Sequence, residues 1–143
     1  MTLDDRKRLL AQLHTDEGLR LKPYRDTVGK LTIGYGRNLD DRGITQHEAE
    51  ALLVNDLRYA EAEIERAFSW FTGLGSVRQA VLLNMAFNLG VPRLLGFNRM
   101  IDALQRHAWD EAAVEMLDSK WSRQVGERST RLAQQMRSGR WTS

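Results

Sequence analysis

The spacing of hydrophobic residues divides the chain into an N-terminal helix, a short sheet and a long helical part. Leucines recur on one side of a predicted helix over residues 3–14. Between Leu19 and Tyr35 the apolar residues alternate with polar or small ones, which is typical of half-buried strands. Residues 26–30 interrupt this alternation and include Gly29, so they predict the turn of a small antiparallel hairpin.

Helical periodicity resumes at Thr45 and continues through the rest of the chain. Thr45 and Glu48 have the spacing of a capping box, which opens a long helix with an apolar residue every three or four positions as far as Phe68. Ser76 is the expected N-cap of the next helix. Residues 77–89 are apolar on nearly all sides, so we expect this helix to be buried. Further helices are predicted over about 98–107, 110–120 and 127–137.

These elements predict an α+β fold that is mostly helical. We expect one domain over residues 1–143, in which a long helix joins a small lobe with an antiparallel sheet to a larger helical lobe. The sheet lobe covers about 15–45, the connecting helix about 45–68, and the helical lobe 1–14 together with about 69–143. A sheet set apart in this way tends to form one wall of a cleft.

Composition excludes several classes of protein. The chain is 42% hydrophobic and 28% charged, as soluble globular proteins are, and no apolar run approaches the roughly 20 residues of a membrane span. The charged N-terminal segment lacks the apolar stretch of a signal peptide. The chain has no cysteine and three scattered histidines, so we expect no disulfide, no metal ion and no other cofactor.

Charge is distributed unevenly along the chain. The formal net charge is +2, but residues 118–143 carry six basic and two acidic side chains. A basic C-terminal surface suits an anionic partner such as a cell-wall polymer, lipopolysaccharide or a nucleic acid. An ordinary solvated helix face would show the same charges.

Two carboxyl groups stand out by position. Glu17 lies at the predicted junction between helix and strand, and Asp26 begins the hairpin turn, so both side chains can project into a groove. Hydrolysis of an acetal needs two carboxyl groups on either side of the scissile bond. Position alone leaves solvated surface carboxylates as the alternative.

The second predicted strand offers an open face. Because side chains alternate along a strand, Thr32, Gly34 and Gly36 share one face, which would be a nearly bare floor for a polymer, with one hydroxyl to hold a water. The opposite face, expected to pack on the core, carries Leu31, Ile33 and Tyr35. Two glycines that permit a bend would give the same pattern.

Residues 16–36, DEGLRLKPYRDTVGKLTIGYG, resemble the signature of the T-even phage lysozymes, glycoside hydrolase family 24, in residue type and spacing. The resemblance continues through residues 43–53, 76–90, 96–97, 109–121 and 137–141 and covers essentially the whole chain. It implies a lysozyme-like two-lobed fold and an endolysin-type muramidase. Such an enzyme hydrolyses the β-1,4 bond between N-acetylmuramic acid and N-acetylglucosamine in bacterial peptidoglycan.

By this resemblance three residues are catalytic. Glu17 matches the proton donor, Asp26 the carboxylate that stabilises developing positive charge and engages the attacking water, and Thr32 the residue that orients this water. Such a water requires an inverting arrangement, in which the carboxyl groups are about 6.5–9.5 Å apart. The residues that bind substrate by the same resemblance are Asn38, Phe87, Asn88 and Glu115. Arg128 matches an arginine that supports Glu17 by pairing with it.

The chain departs from the family pattern at Arg37, Asn38 and Glu115. Arg37 stands where the family often has a histidine that forms an ion pair, and Asn38 stands where apolar residues are common. Glu115 replaces a frequent asparagine, and its charge could alter the preference among peptide-substituted glycans. Arg37 puts the pH dependence of the ion pair in doubt.

The expected partner is the peptidoglycan glycan strand, and the basic C-terminal helix could contact an anionic outer-membrane surface. We expect a monomer that binds no nucleic acid and does not insert stably into a membrane. We expect it in the host cytoplasm until it reaches the periplasm through a holin-type pore, unless it is a virion-carried domain. The open alternatives are a wall-binding protein without activity, a nucleic-acid-binding helical domain and a lytic transglycosylase.

Overall fold

A computed structural model describes residues 1–142, which form eight α-helices and one three-stranded antiparallel sheet. The elements in chain order are α1 (Leu3–Glu17), β1 (Arg20–Arg25), β2 (Leu31–Gly34), β3 (Arg37–Asn38), α2 (Gln46–Ala67), a 3₁₀ turn (Phe71–Gly73), α3 (Ser76–Leu89), α4 (Val91–Leu94), α5 (Asn98–Gln105), α6 (Trp109–Leu117), α7 (Lys120–Val125) and α8 (Glu127–Ser138). The predicted α+β class is confirmed. None of these helices is long and apolar enough to span a membrane. The chain divides into two compact units, Met1–Ala51 and Leu52–Ser143.

The first helix is longer than the sequence predicts. α1 ends at Glu17, one turn later than expected, and the Thr15 hydroxyl donates to the Ala11 carbonyl within this extra turn. Gly18, with a φ of 69°, ends the helix, and its N–H donates to the His14 carbonyl. The extra turn makes Glu17 the last helical residue.

The hairpin predicted by the alternating pattern is confirmed as β1 and β2. Tyr24 pairs with Thr32, and Gly29 takes a φ of 84° in the turn between the strands. A third strand, β3, goes beyond the sequence prediction, because two residues are too few to show a period. It pairs with β2 through Asn38 and Thr32, so β2 is the central strand of the sheet.

The capping box at the start of α2 is confirmed. The Glu48 N–H donates to Thr45 Oγ1 at 3.1 Å, and the Thr45 N–H donates to Glu48 Oε1 at 2.9 Å. The bond to Thr45 satisfies a backbone donor that the first turn of a helix leaves free. α2 begins in the first compact unit and continues into the second.

In the second unit, α3 packs one side against the core and leaves the other side in solvent. Its buried side chains are Val81, Leu82, Met85 and Ala86. Asn84, Phe87 and Asn88 are exposed, so the prediction of a helix buried on nearly all sides is wrong. The three- and four-residue spacing of the buried positions is that of a helix with a single core-facing side. Gly75, not Ser76, is the N-cap.

The helices predicted for the C-terminal part are confirmed as α5, α6 and α8, with ends that differ by three residues or fewer. The structure also has two short helices, α4 and α7, that the sequence does not predict. Pro92 lies in the first turn of α4, where proline has no intrahelical N–H bond to lose. α7 begins after Ser119, whose hydroxyl accepts from the Ser122 N–H at 3.1 Å as an N-cap.

Candidate active site

The Glu17 carboxyl lies against the turn between β2 and β3. Glu17 is exposed, and its Oε2 is so close to Gly36 that a Cβ added to this glycine would lie 2.8 Å from the oxygen. Gly36 has a φ of 79°, a left-handed conformation that glycine adopts without strain. The end of α1 and the sheet therefore meet at this position, within the first compact unit.

A stacked pair of rings joins the same two segments. The ring centroids of His14 and Tyr35 are 4.3 Å apart, with 17° between the ring planes. His14 lies one turn before Glu17 on α1, and Tyr35 is next to Gly36 in the turn. The stack therefore holds the last turn of α1 beside the turn that the Glu17 carboxyl contacts.

Asp26 is held by the hairpin turn that follows it. Its Oδ1 accepts hydrogen bonds from the backbone N–H groups of Val28 and Lys30 at 3.0 and 2.8 Å. The Asp26 N–H donates to the Lys30 carbonyl, and the Gly29 N–H donates to the Asp26 carbonyl. Within the described residues both side-chain bonds use Oδ1, so Oδ2 is the oxygen available to a water or a ligand.

Thr32 does not lie on an open floor. It is buried, with 3% of its surface exposed, and its hydroxyl donates to the Lys30 carbonyl at 2.9 Å. Its cross-strand neighbours, Tyr24 on β1 and Asn38 on β3, flank it on the same face of the sheet. Tyr35 also departs from the predicted alternation: it is 45% exposed because it lies beyond the end of β2.

Arg37 forms an ion pair, although it stands where the family often has a histidine. Its Nη1 donates to Glu48 Oε1 at 2.7 Å and to the Gly43 carbonyl at 3.2 Å. The hydrogen bond from Arg37, together with the backbone bond from Thr45, lowers the pKa of Glu48 to about 2. A guanidinium does not lose its proton in proteins, so this pair lacks the switch near neutral pH that a histidine would bring.

Asn38 is engaged in a turn that follows β3. Its amide nitrogen donates to Asp41 Oδ2 at 3.0 Å, and its Oδ1 accepts from the Asp41 N–H at 2.9 Å. Asp41 also pairs with Lys30 at 2.9 Å, and the hydrogen bond from Lys30 holds the pKa of Asp41 below its ordinary value. Asn38 therefore orders this turn, and its part in substrate binding stays a prediction.

Four of the residues predicted for the site belong to the second unit, and two of them are paired there. Arg128 donates to Asn84 Oδ1 through Nε at 2.9 Å and through Nη2 at 2.6 Å, and Nη2 also reaches the Asn84 carbonyl at 3.1 Å. Asn88 Oδ1 accepts a hydrogen bond from Trp121 Nε1 at 3.0 Å. The pairing of Arg128 with Glu17 stays a prediction.

The other two, Phe87 and Glu115, each line a cavity of the second unit. Phe87 is 41% exposed and borders a cavity of about 280 Å³ together with Tyr59. Glu115 borders a cavity of about 590 Å³ whose wall includes Phe97 and Trp121. The same wall carries the charged side chains of Arg93, Arg99, Asp118 and Lys120. Cavities of this kind can hold part of a ligand.

The sequence does not predict two contacts made by residues of the candidate site. The approach of Glu17 to Gly36 depends on how two separate segments meet, and its one trace in the sequence is the glycine itself. The bond between Arg128 and Asn84 joins α8 to α3, and its trace is a polar residue within an apolar run. Within residues 1–142, no three His, Asp or Glu side chains are grouped closely enough to hold a metal ion.

Comparison with known proteins identifies the family. The family described as phage lysozyme matches residues 14–138, a range that includes every predicted site residue. This chain belongs to the phage lysozyme family. The predicted resemblance to the T-even phage lysozymes is confirmed, and the family indicates a lysozyme-like function.

Relatives of this chain occur in a cellular organism and in phages. Probable T4-type lysozyme 1 of Dictyostelium discoideum is 31% identical, over 89% of this chain and 92% of the relative. The endolysin of Acyrthosiphon pisum secondary endosymbiont phage 1 is 30% identical, over 75% of this chain and 72% of the relative. The pre-baseplate central spike protein Gp5 of Enterobacteria phage T4 is 32% identical over 84% of this chain, which corresponds to 26% of that protein.

Proposed function

We propose that this protein is an endolysin-type muramidase, which hydrolyses the β-1,4 bond between N-acetylmuramic acid and N-acetylglucosamine in bacterial peptidoglycan. The family and the relatives named lysozyme and endolysin support this activity. One observation carries the proposal. A single compact unit holds Glu17 at the end of α1, against the sheet, and Asp26 in the hairpin turn of that sheet.

In this mechanism Glu17 is the general acid and Asp26 the general base. Glu17 donates its proton to the glycosidic oxygen while the bond between this oxygen and the anomeric carbon breaks. A water attacks the anomeric carbon, and Asp26 takes the proton that the water loses. Oδ2 of Asp26 suits this task because the hairpin turn uses Oδ1. Exchange of protons with solvent then restores both carboxyl groups.

By the family resemblance Thr32 is the residue that orients the attacking water, and because only 3% of its surface is exposed, this role rests on Oγ1 alone reaching the water. The hydroxyl hydrogen of Thr32 is donated to the Lys30 carbonyl, so Oγ1 is left to accept a hydrogen bond from the water. A water held in this way directs a lone pair toward the anomeric carbon. Replacement of Thr32 by valine keeps the shape of the side chain and removes this acceptor.

The layout of the sheet supports inversion at the anomeric carbon. Glu17 lies at Gly36, beyond one end of β2, and Asp26 follows Arg25, which pairs with Leu31 at the other end. Carboxyl groups at opposite ends of such a strand leave room for a water, which retaining enzymes do not have between theirs.

The direct test is the Glu17→Gln variant on purified peptidoglycan. We expect the hydrolysis rate to fall about 10²-fold to 10⁴-fold, because glutamine cannot donate the proton. Asp16→Asn is the matched control, since it neutralises the adjacent exposed carboxylate, and it should keep a rate close to the parent. A Glu17→Gln variant as active as Asp16→Asn would contradict the proposal, as would an anhydro product that is lighter by one water.

We further propose that the protein lyses the bacterial host, reaching the wall from the host cytoplasm through a holin-type pore. The relative named endolysin supports this setting, and the match to part of a spike protein supports a virion-carried domain as the alternative. Bacteria that express the chain alone should remain intact until a holin is co-expressed. Lysis without any pore would contradict this route.

A further inference from the structure

The side chain of Glu17 lies across the backbone of Gly36. A Cβ added to Gly36 would be 2.8 Å from Oε2, 3.2 Å from Cδ and 3.7 Å from Cγ of Glu17. All three of its nearest neighbours would therefore be atoms of one side chain. Because Gly36 has only hydrogen atoms on its Cα, the Glu17 carboxyl group can occupy the space in which any other residue would place its Cβ.

This contact distinguishes Gly36 from the other glycines of the first unit that have a positive φ. A Cβ built on these others would meet nothing within 4 Å, and they are Gly18, Gly29, Gly34 and Gly43. Their backbone conformation alone accounts for glycine at those positions. At Gly36 both the positive φ and the close approach of Glu17 favour glycine over a residue with a side chain.

Within residues 1–51, the Glu17 carboxyl has no hydrogen-bond partner and no ion pair that would fix its direction. Glutamate is long and flexible, and an exposed carboxyl without a partner in its own unit would adopt several rotamers there. The backbone at Gly36 removes those rotamers that would pass through it. The stack of His14 on Tyr35 keeps this piece of backbone beside the last turn of α1.

We propose that Gly36, with the ring stack of His14 and Tyr35, positions the acid of the reaction. Gly36 is a positioning residue and not a catalytic one, and this inference rests on the proposed role of Glu17 as proton donor. A methyl group at Gly36 would push Oε2 from 2.8 Å to the 3.4 Å of an ordinary contact, a shift of about 0.6 Å. The displaced group is the end of a flexible side chain. The shift therefore changes the direction in which Glu17 presents its proton to the substrate more than it changes the stability of the fold.

The test compares Gly36→Ala with Gly43→Ala. Both glycines have a positive φ, 79° and 64°, so both variants lose stability from backbone strain, but only the first contacts the acid. We expect similar falls in Tm, and for Gly36→Ala alone a fall in kcat of about 10-fold to 100-fold with KM unchanged. A kcat for Gly36→Ala equal to that of Gly43→Ala would overturn the inference.

A shorter acid provides the second arm of the test. In a Glu17→Asp background the carboxyl no longer reaches Gly36, so adding Gly36→Ala should cost much less kcat than it costs in the parent. Equal losses in the two backgrounds would show that the methyl group acts elsewhere and would overturn the inference.

A variant without backbone strain keeps the inference testable if Gly36→Ala does not fold. Tyr35→Ser removes the ring stack and should lower kcat at unchanged KM, and Tyr35→Phe, which keeps the ring, should restore it. An unchanged kcat in Tyr35→Ser would show that the ring stack does not position Glu17. If Glu17→Gln abolishes activity while the Gly36 and Tyr35 variants keep parental kcat, the positioning inference fails and the proposed function stands. A Glu17→Gln variant with parental activity would contradict both the proposed function and the positioning inference.

Discussion

Glu48 takes part in two hydrogen-bond systems at once. It closes the capping box of α2 with Thr45, and it pairs with Arg37 at the start of β3. The bond from Arg37 is the largest cause of the fall in its pKa from an ordinary 4.5 to about 2. Because the folded pKa is depressed, the charged form stabilises the fold above pH 4.5, and this stabilisation is lost as the pH falls through about 2.

We therefore predict a pH-dependent effect of Glu48→Gln. Glutamine keeps the acceptor of the capping box and removes the charge that pairs with Arg37. The Tm of the variant should be below that of the parent at neutral pH, and the difference should narrow as the pH falls from 4.5 to about 2. Thermal melts followed by circular dichroism across this range measure it. A difference that does not change with pH would contradict the role of the charge.

At the scale of elements, the end of α8 is held by a residue of α3. Arg78 donates through Nε to the Met136 carbonyl at 2.7 Å and through Nη2 to the Arg137 carbonyl at 3.0 Å. Its guanidinium lies 4.0 Å from the ring centroid of Trp109 on α6. A cation at carbonyls of the last helical turn also interacts favourably with the helix dipole.

We predict that Arg78→Met destabilises the protein by about 2 kcal/mol, because it removes two charge-assisted hydrogen bonds and a cation–π contact. Methionine preserves much of the apolar stem, so the loss reports on the guanidinium. Arg131→Met, at an exposed position of α8, is the control and should change stability little. Denaturant unfolding measures both variants, and equal stabilities would show that Arg78 does not hold the helix end.

Which elements the sequence predicts depends on their length and on local chemistry. The long α2 carries several periods of its apolar pattern and a capping box, and the hairpin carries a turn glycine, so both are predicted correctly. The two residues of β3 and the four of α4 are too short to show a period. α1 continues through Thr15 and Asp16, whose weak helix propensity predicts an earlier end, and it stops at Gly18.

At the scale of the whole molecule, the basic C-terminal surface has the charge of a membrane-binding helix but not a free apolar side. Leu132, Ala133 and Met136 of α8 are buried in the core, so these side chains cannot insert into a lipid layer without unfolding. Arg137 and Arg140 are exposed. Any contact of α8 itself with an anionic outer membrane is therefore electrostatic, and the exposed apolar side chain of this surface is Trp141, beyond the helix.

We predict that Arg137→Glu with Arg140→Glu reduces killing of intact Gram-negative cells and leaves the hydrolysis of purified peptidoglycan unchanged. The control is Arg58→Glu with Arg66→Glu, which changes the net charge equally at exposed positions of α2. Colony counts and turbidity on purified wall measure the two activities. Equal killing by both double variants would contradict a specific role of the C-terminal surface.

The candidate site follows from the sequence in part. The spacing of Glu17, Asp26 and Thr32 identifies the residues to examine, because the family pattern is local in the chain. The burial of Thr32 and the contact of Glu17 with Gly36 depend on how separate segments pack. The spacing of hydrophobic residues along the chain does not predict contacts between separate segments.

The central claim is that two carboxyl groups hydrolyse the glycan with a water between the sugar and Asp26. The most direct measurement is NMR of the first reducing ends that appear when purified peptidoglycan is digested. We predict the α-anomer, formed by inversion of the β-linkage, before mutarotation mixes the two forms. A first product with the β-configuration would contradict the assignment of Asp26 as the base.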